Sequence, residues 1–192
     1  MSTRRRLIAA VVGVVIGLAI VGGALALTRD GDDVDGTFVL DEPGVYGEPV
    51  TTIDQSGKQL PDARLSDAAG QPVALRSLLG KPLVVNIWYS SCAPCARELR
   101  DFAGVSKELG DSVQFVGVNP VDDATKMQEF ADARGVDYPL LLDHDGDLVT
   151  QADVAAFPTT LFVSPDGRIV HQTSTIEADD LRQAIATYLT SP

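Results

Sequence analysis

The chain has 192 residues, two of them cysteine, with 45% hydrophobic and 22% charged residues, which fits one ordinary globular domain beyond an apolar N-terminal stretch. Its net charge of −12 is uneven: residues 1–29 hold four arginines and no acid, whereas the remainder holds 11 basic and 27 acidic residues. Two cysteines exclude a disulfide-dense mini-protein and a four-cysteine zinc site, and the acidic balance argues against a nucleic-acid partner, which needs a basic face.

Leu7 to Leu27 is an uncharged run of Leu, Ile, Val, Ala and Gly, preceded by Arg4, Arg5 and Arg6 and followed by Asp30, Asp32, Asp33 and Asp35. As a helix it spans about 31 Å, close to the hydrocarbon thickness of a bilayer. The arginine flank sets residues 1–28 as a cytoplasmic N-terminus and signal-anchor, with everything beyond lying outside the cell membrane, in a disulfide-permissive place. A cleaved signal peptide competes with this reading, because Ala24-Leu25-Ala26 resembles a cleavage site, but the run is long for such a segment. Residues 29–60, rich in Gly, Asp, Pro and Thr, read as an extracytoplasmic tether with a short strand at Val50–Ile53, and residues 61–192 as the domain.

Within the domain, Asp67–Gln71 forms a hairpin turn with Val73–Leu75 as its return strand, and Arg76–Gly80 a short helical turn. Pro82–Trp88 is apolar enough for a strand buried on both faces. Cys92–Gly110 carries Leu99, Phe102, Val105 and Leu109 at helical spacing. Strands are expected at Val113–Val118 and Tyr138–Leu142. Between them a helix capped by Asp122 or Asp123 runs through Arg134, with Met127, Phe130 and Ala131 inward. Leu148–Val154 reads as helical, Thr159–Val163 and Arg168–Gln172 as a hairpin, and Ala178–Leu189 as a last helix with Ser174 and Glu177 at capping-box spacing. This order predicts an α/β fold, a mixed central sheet flanked by helices.

The chemistry-bearing segment is Cys92-Ala93-Pro94-Cys95 at the start of the long helix. Unpaired N–H groups and the positive end of the helix dipole face the Cys92 sulfur, favouring its thiolate. Cys95 lies one turn on, near enough to bond and part without moving the fold. Cys92 is the attacking thiol and Cys95 the resolving one. A permanent staple is the bland alternative, but so small a loop removes little unfolded-state entropy. A metal site of Cys92, Cys95 and His144 or His171 is a further alternative, against which each histidine reads as an ordinary surface residue.

Phe157-Pro158 just before an apolar strand completes a pattern that resembles the thioredoxin superfamily. The resemblance implies a cis proline facing the cysteine pair, with the Phe157 backbone free to pair with a substrate strand; the alternative is a trans proline that starts a strand. Pro61-Asp62 with Leu65, Gly70–Leu75 and Leu79–Asn86 look like the lead-in of the membrane-anchored TlpA/ResA/DsbE-like thiol–disulfide oxidoreductases, which include cytochrome c maturation proteins. Asn86 stands where cytoplasmic thioredoxins keep a buried aspartate and cannot accept a proton. Glu98 matches a glutamate that some ResA-like members keep near the cysteines; it either takes the Cys95 proton or is a solvated helix charge. Trp88 reads as a core or rim residue beside the site, and with Ala93, Pro94, Phe157 and Pro158 it makes up the expected substrate-contact set. Ser91, Tyr89 and Arg100 depart from the usual Trp, small residue and Pro.

The implied function is reversible thiol–disulfide exchange with protein substrates, leaning to reduction because no histidine lies between the cysteines, and apocytochrome c is a candidate client. A membrane redox partner would recharge the pair, and no cofactor is implied. The alternatives are an oxidase of exported proteins, a peroxiredoxin-like peroxidase, which would need Thr where Tyr89 stands, and a Sco-like copper metallochaperone.

Overall fold

The computed structural model describes residues 52–190, so the expected membrane segment 7–27 and most of the tether lie outside the described residues. Seven strands form one mixed sheet: β1 (Arg64–Ser66), β2 (Pro72–Ala74), β3 (Leu83–Ile87), β4 (Gln114–Asn119), β5 (Leu140–Leu142), β6 (Thr159–Val163) and β7 (Ile169–Thr173), in the order β2-β1-β5-β4-β3-β6-β7. The centre is parallel, β3 to β4 to β5, while β6 runs antiparallel to β3, and both edges are antiparallel hairpins. The helices are α1 (Ala93–Leu109), α2 (Ala124–Asp132), α3 (Asp147–Gln151) and α4 (Ala178–Tyr188).

Side-chain alternation along the central strands divides the core between the two sheet faces. Val84, Trp88 and Phe162 point to the side covered by α1, α2 and α4, where they meet Leu99, Phe102, Met127 and Leu181. Leu83, Val85, Ile87, Leu161 and Val163 point to the other side, covered by Leu60, the 3₁₀ turn at Leu75–Leu78 and Leu148 of α3. The apolar run read as a two-face-buried strand is therefore that, with all five residues of β3 buried.

Several boundaries differ from the sequence expectation. Residues 52–60 do not trail as a tether: Gln55 and Leu60 are buried, and the Gly57 and Leu60 N–H groups bond to Ile169 O and Gly167 O at 2.7 and 2.8 Å. The domain thus begins before residue 61, and Thr52 and Ile53 carry no strand. The Ser174–Glu177 capping box does not form. The helix starts at Ala178, so Glu177 stands at the N-cap of α4, where it makes no side-chain cap bond, and the Ile176 N–H before it donates to Glu98 at 3.2 Å, tying this stretch to α1. The helix expected through Arg134 ends at Asp132, followed by Gly135 at φ 77°. The one expected at Leu148–Val154 is shorter and starts at Asp147.

Gly117 on β4 matters by its missing side chain. A Cβ there would stand 2.8 Å from Trp88 Nε1 and 2.7 Å from Leu140 Cδ2. Gly117→Ala is expected to overpack this layer, costing about 1–3 kcal/mol in denaturant unfolding and altering Trp88 fluorescence; an unchanged midpoint would refute the assignment.

Candidate active site

The register of the central strands gathers the site. Ile87 ends β3 opposite Val118 of β4 and Thr159 of β6. The loops at 88–92, 120–123 and 153–158 therefore leave the same end of the sheet. They touch one another there. Tyr89 meets Phe157 edge-on at 5.2 Å between ring centroids. Ser90 is held by Asp122, which accepts its N–H at 2.6 Å and its hydroxyl at 2.7 Å.

Cys92 is the N-cap of α1, with Pro94 in the first turn, where the helix has no need of an N–H. Its sulfur accepts the Cys95 N–H at 3.3 Å. Cys92 and Cys95 form a disulfide with Cα atoms 5.3 Å apart. Cys92 is 5% exposed and Cys95 not at all, so Cys92 is the outer sulfur of the pair and Cys95 the inner one. Ala93 is exposed, Pro94 and Phe157 half-buried and Pro158 buried. The Phe157–Pro158 peptide is cis. Trp88 departs from the substrate-contact set, because it is wholly buried and stacks on Phe130 at 5.8 Å. It supports the loop from beneath and offers a client nothing to touch.

Glu98 points into the molecule instead of into solvent and is 2% exposed. Its position follows from the helical repeat, which sets it one turn beyond Cys95 on the same buried face of α1. Its Oε1 accepts the Asn86 Nδ2–H at 2.9 Å and its Oε2 the Ile176 N–H at 3.2 Å. Burial raises its pKa to about 7 against the lowering pull of those two bonds. Asn86 also donates to Thr160 Oγ1 at 3.1 Å, so its amide bridges sheet and helix. This amide orientation suits a carboxylate; a protonated Glu98 is matched by the same amide turned over. A groove of about 300 Å³, lined by Arg97, Asp101, Thr175 and Glu177, reaches Glu98 from solvent. The buried carboxyl therefore has a route to exchange protons with water.

Three contributors were not visible in the sequence as site residues. Asp122 read only as a possible helix cap, whereas Asp123 caps α2 and Asp122 anchors the loop before Cys92. Burial alone would raise the Asp122 pKa, but Lys126, Ser90 and Asn119 hold it at about 2. Arg134 lies 3.3 Å over the Phe130 ring and donates to Ala96 O in the first turn of α1 at 3.2 Å. Thr160 in the sequence is simply one residue of a core strand, yet its hydroxyl accepts from Asn86. The histidines lie elsewhere: His144 is exposed, and His171 stacks on Tyr188 at 4.2 Å. Among the described residues, no group of three His, Cys, Asp or Glu is arranged to hold a metal ion.

The raised Glu98 pKa has a defined consequence for stability. The folded protein keeps a proton that the unfolded chain, near the ordinary value of 4.5, releases. This contribution is fully present below about pH 4.5, declines as the pH rises, and is lost above the folded value of about 7. It amounts to about 3 kcal/mol. Glu98→Gln should therefore lose markedly less stability than the parent between about pH 5 and about pH 8 in denaturant unfolding of the oxidised protein. Parallel pH profiles would show that Glu98 does not titrate in this way.

The sequence profile of the AhpC/TSA family matches residues 56–172. The chain is 31% identical over 115 residues to the thiol-disulfide oxidoreductase ResA of Bacillus subtilis, an alignment spanning 59% of this chain and 64% of that protein. It is 30% identical over 122 residues to ResA of Halalkalibacterium halodurans, spanning 62% of this chain and 68% of that protein. Among solved structures it resembles MTB dsbF, with TM-score 0.60 and 28% identity over 66% of this chain and 95% of that one. It also resembles a secreted Mycobacterium tuberculosis disulfide oxidoreductase homologous to E. coli DsbE, with TM-score 0.58 and 26% identity over 65% of this chain and 95% of that one. The chain belongs to the AhpC/TSA family, and its domain is that of a thioredoxin-like thiol–disulfide oxidoreductase close to ResA and DsbE in sequence and structure.

Proposed function

We propose that the protein reduces disulfides of client polypeptides outside the cytoplasm, held to the membrane by residues 7–27 and recharged there by a membrane redox partner. The observation that carries the exchange chemistry is the Cys92–Cys95 disulfide at the N-cap of α1, on the same sheet end as the Phe157–Pro158 loop. The extracytoplasmic setting rests on the arginine-flanked apolar run of the sequence.

In the reduced protein, the Cys92 thiolate attacks one sulfur of a client disulfide. The client bond breaks as the Cys92–client bond forms, and the departing client sulfur leaves as a thiolate that takes a proton. Cys95 then loses its proton and attacks the Cys92 sulfur, closing the intramolecular disulfide and releasing the second client thiolate. Two electrons pass from the protein pair to the client. The inner sulfur must be deprotonated in a dry place, and Glu98, a buried carboxyl with a pKa of about 7, suits that task. Its groove passes the proton on to water.

The direction rests on Ala93-Pro94, which puts no histidine beside Cys92 to favour its thiolate. Apocytochrome c, kept reduced for haem attachment, is a client of the right kind. Tyr89, standing where a peroxidatic site requires Thr, turns its ring to Phe157 and speaks against peroxide chemistry.

Cys92→Ser should abolish reduction of a disulfide-bonded peptide, and Cys95→Ala should accumulate a covalent mixed disulfide with clients when expressed in the native membrane. The dithiol should equilibrate with a glutathione series at a potential below the glutathione couple. A potential well above it would overturn the reducing direction, and full activity of Cys92→Ser would overturn the exchange reading itself.

A further inference from the structure

We propose that Thr52 is a positioning residue for the client-binding loop, and that the segment 52–55 braces that loop from outside the catalytic groups. The proposal rests on the reading that the client strand pairs with the backbone of Phe157, in the loop 153–158. Thr52 Oγ1 accepts the N–H groups of Ala155 and Ala156, at 3.2 and 3.1 Å. These are the two residues directly before Phe157–Pro158. Thr159 Oγ1, on the far side of the proline, donates to Ala156 O at 2.8 Å. Its proton is therefore committed, and the Thr52 hydroxyl, 3.3 Å away, is the donor of that pair. One hydroxyl thus accepts twice and donates once, its full capacity, and every bond goes to the loop or to its exit into β6.

The support behind Thr52 is itself fixed. The Gln55 side chain, 2% exposed, donates to Ile53 O and to Asp153 Oδ2, both at 3.2 Å. Asp153 sits at the start of the loop with a positive φ of 48°, a conformation that a non-glycine residue keeps only when its surroundings impose it. The Gln55 N–H donates to Gln172 Oε1 at 3.0 Å, and Gln172 Nε2 returns a bond to Ile53 O at 3.3 Å. Residues 53–55 are thereby tied to β7, and Thr52 and Gln55 hold the loop at both of its ends. A loop held in its binding geometry before the client arrives loses less freedom on binding. None of these bonds involves Cys92, Cys95 or Glu98. Thr52 therefore acts on client binding and leaves the potential of the dithiol alone.

Thr52→Val keeps the shape and removes the hydroxyl. Reduction of a fluorophore-quenched, disulfide-bonded peptide should show KM raised about fivefold with kcat unchanged. Reduction of hydroxyethyl disulfide, too small to use the loop, should proceed at the parental rate, and the equilibrium with glutathione should not move. Thr52→Ser should restore KM. An unchanged KM in Thr52→Val, or equal slowing with both disulfides, would overturn the proposal. Amide hydrogen exchange on the unsubstituted protein tests it without a variant: the Ala155 and Ala156 amides should be protected, and exchange at the free-peptide rate would refute the hold. If the unsubstituted protein fails to reduce the peptide while those amides are protected, the exchange reading falls and the structural part of this one survives.

Discussion

The antiparallel register of β3 against β6 is the constraint from which the site follows. Setting Ile87 opposite Thr159 brings the exit of one strand beside the start of the other. The dithiol and the proline loop, far apart in sequence, then have to emerge together. Parallel pairing of β3 with β4 adds the loop that carries Asp122 to the same end. The strands that impose this register are almost wholly buried, so a slip of one residue would turn Val84 and Phe162 out of one core layer and Val85 and Leu161 out of the other. Apolar packing thus secures the site, and the two cysteines are themselves part of the buried cluster on the α1 side of the sheet.

Two buried carboxyls at this end of the molecule show how the partners of a charge decide its state. Asp122 and Glu98 are 3% and 2% exposed. Asp122 has an ammonium, Lys126, at 2.7 Å, together with Ser90 and Asn119 as donors, and this outweighs burial. Glu98 has only the neutral donors Asn86 and Ile176, and burial wins. The first is a fixed anion that fastens a loop, whereas the second exchanges its proton near neutrality. A carboxylate with a close cation makes a poor base, and a carboxyl without one makes a poor anchor.

Much of this was legible locally. The C-x-x-C at a helix start, the apolar β3 and the hairpin at Pro165–Gly167 are each defined by neighbours in sequence. What could not be read depends on distant partners. Whether Glu98 faces solvent or core is decided by Asn86 and by Ile176, which is 78 residues away. Ser174 and Glu177 have capping-box spacing, but α4 starts at Ala178, so Glu177 stands at the N-cap instead of at the third helical position. Asp122 looked like a cap because its true partner, Ser90, is 32 residues upstream. The polar composition of residues 52–60 reads as tether, since the burial of Gln55 depends on Asp153 and Gln172, neither of which is near it in the chain. Trp88 reads as core or rim with equal ease, because what decides between them is distant in the chain: Gly117, by lacking a side chain, leaves the space that lets it sink.

The disulfide of α1 joins residues only three apart in sequence, so closing it scarcely restricts the unfolded chain. Oxidised and reduced, folded and unfolded, are the four corners of a thermodynamic cycle. Any preference of the native structure for the bond or for the free thiols, relative to a short peptide, must equal the difference in unfolding free energy between the two redox forms. Because the chain-entropy part of that difference is small, what remains reports the native surroundings of the sulfurs: the helix terminus, the dry inner face and the nearby carboxyl. The change in the domain's folding stability between its two redox forms and the electron affinity of its cysteines, relative to that of a short peptide, are therefore one quantity measured in two ways.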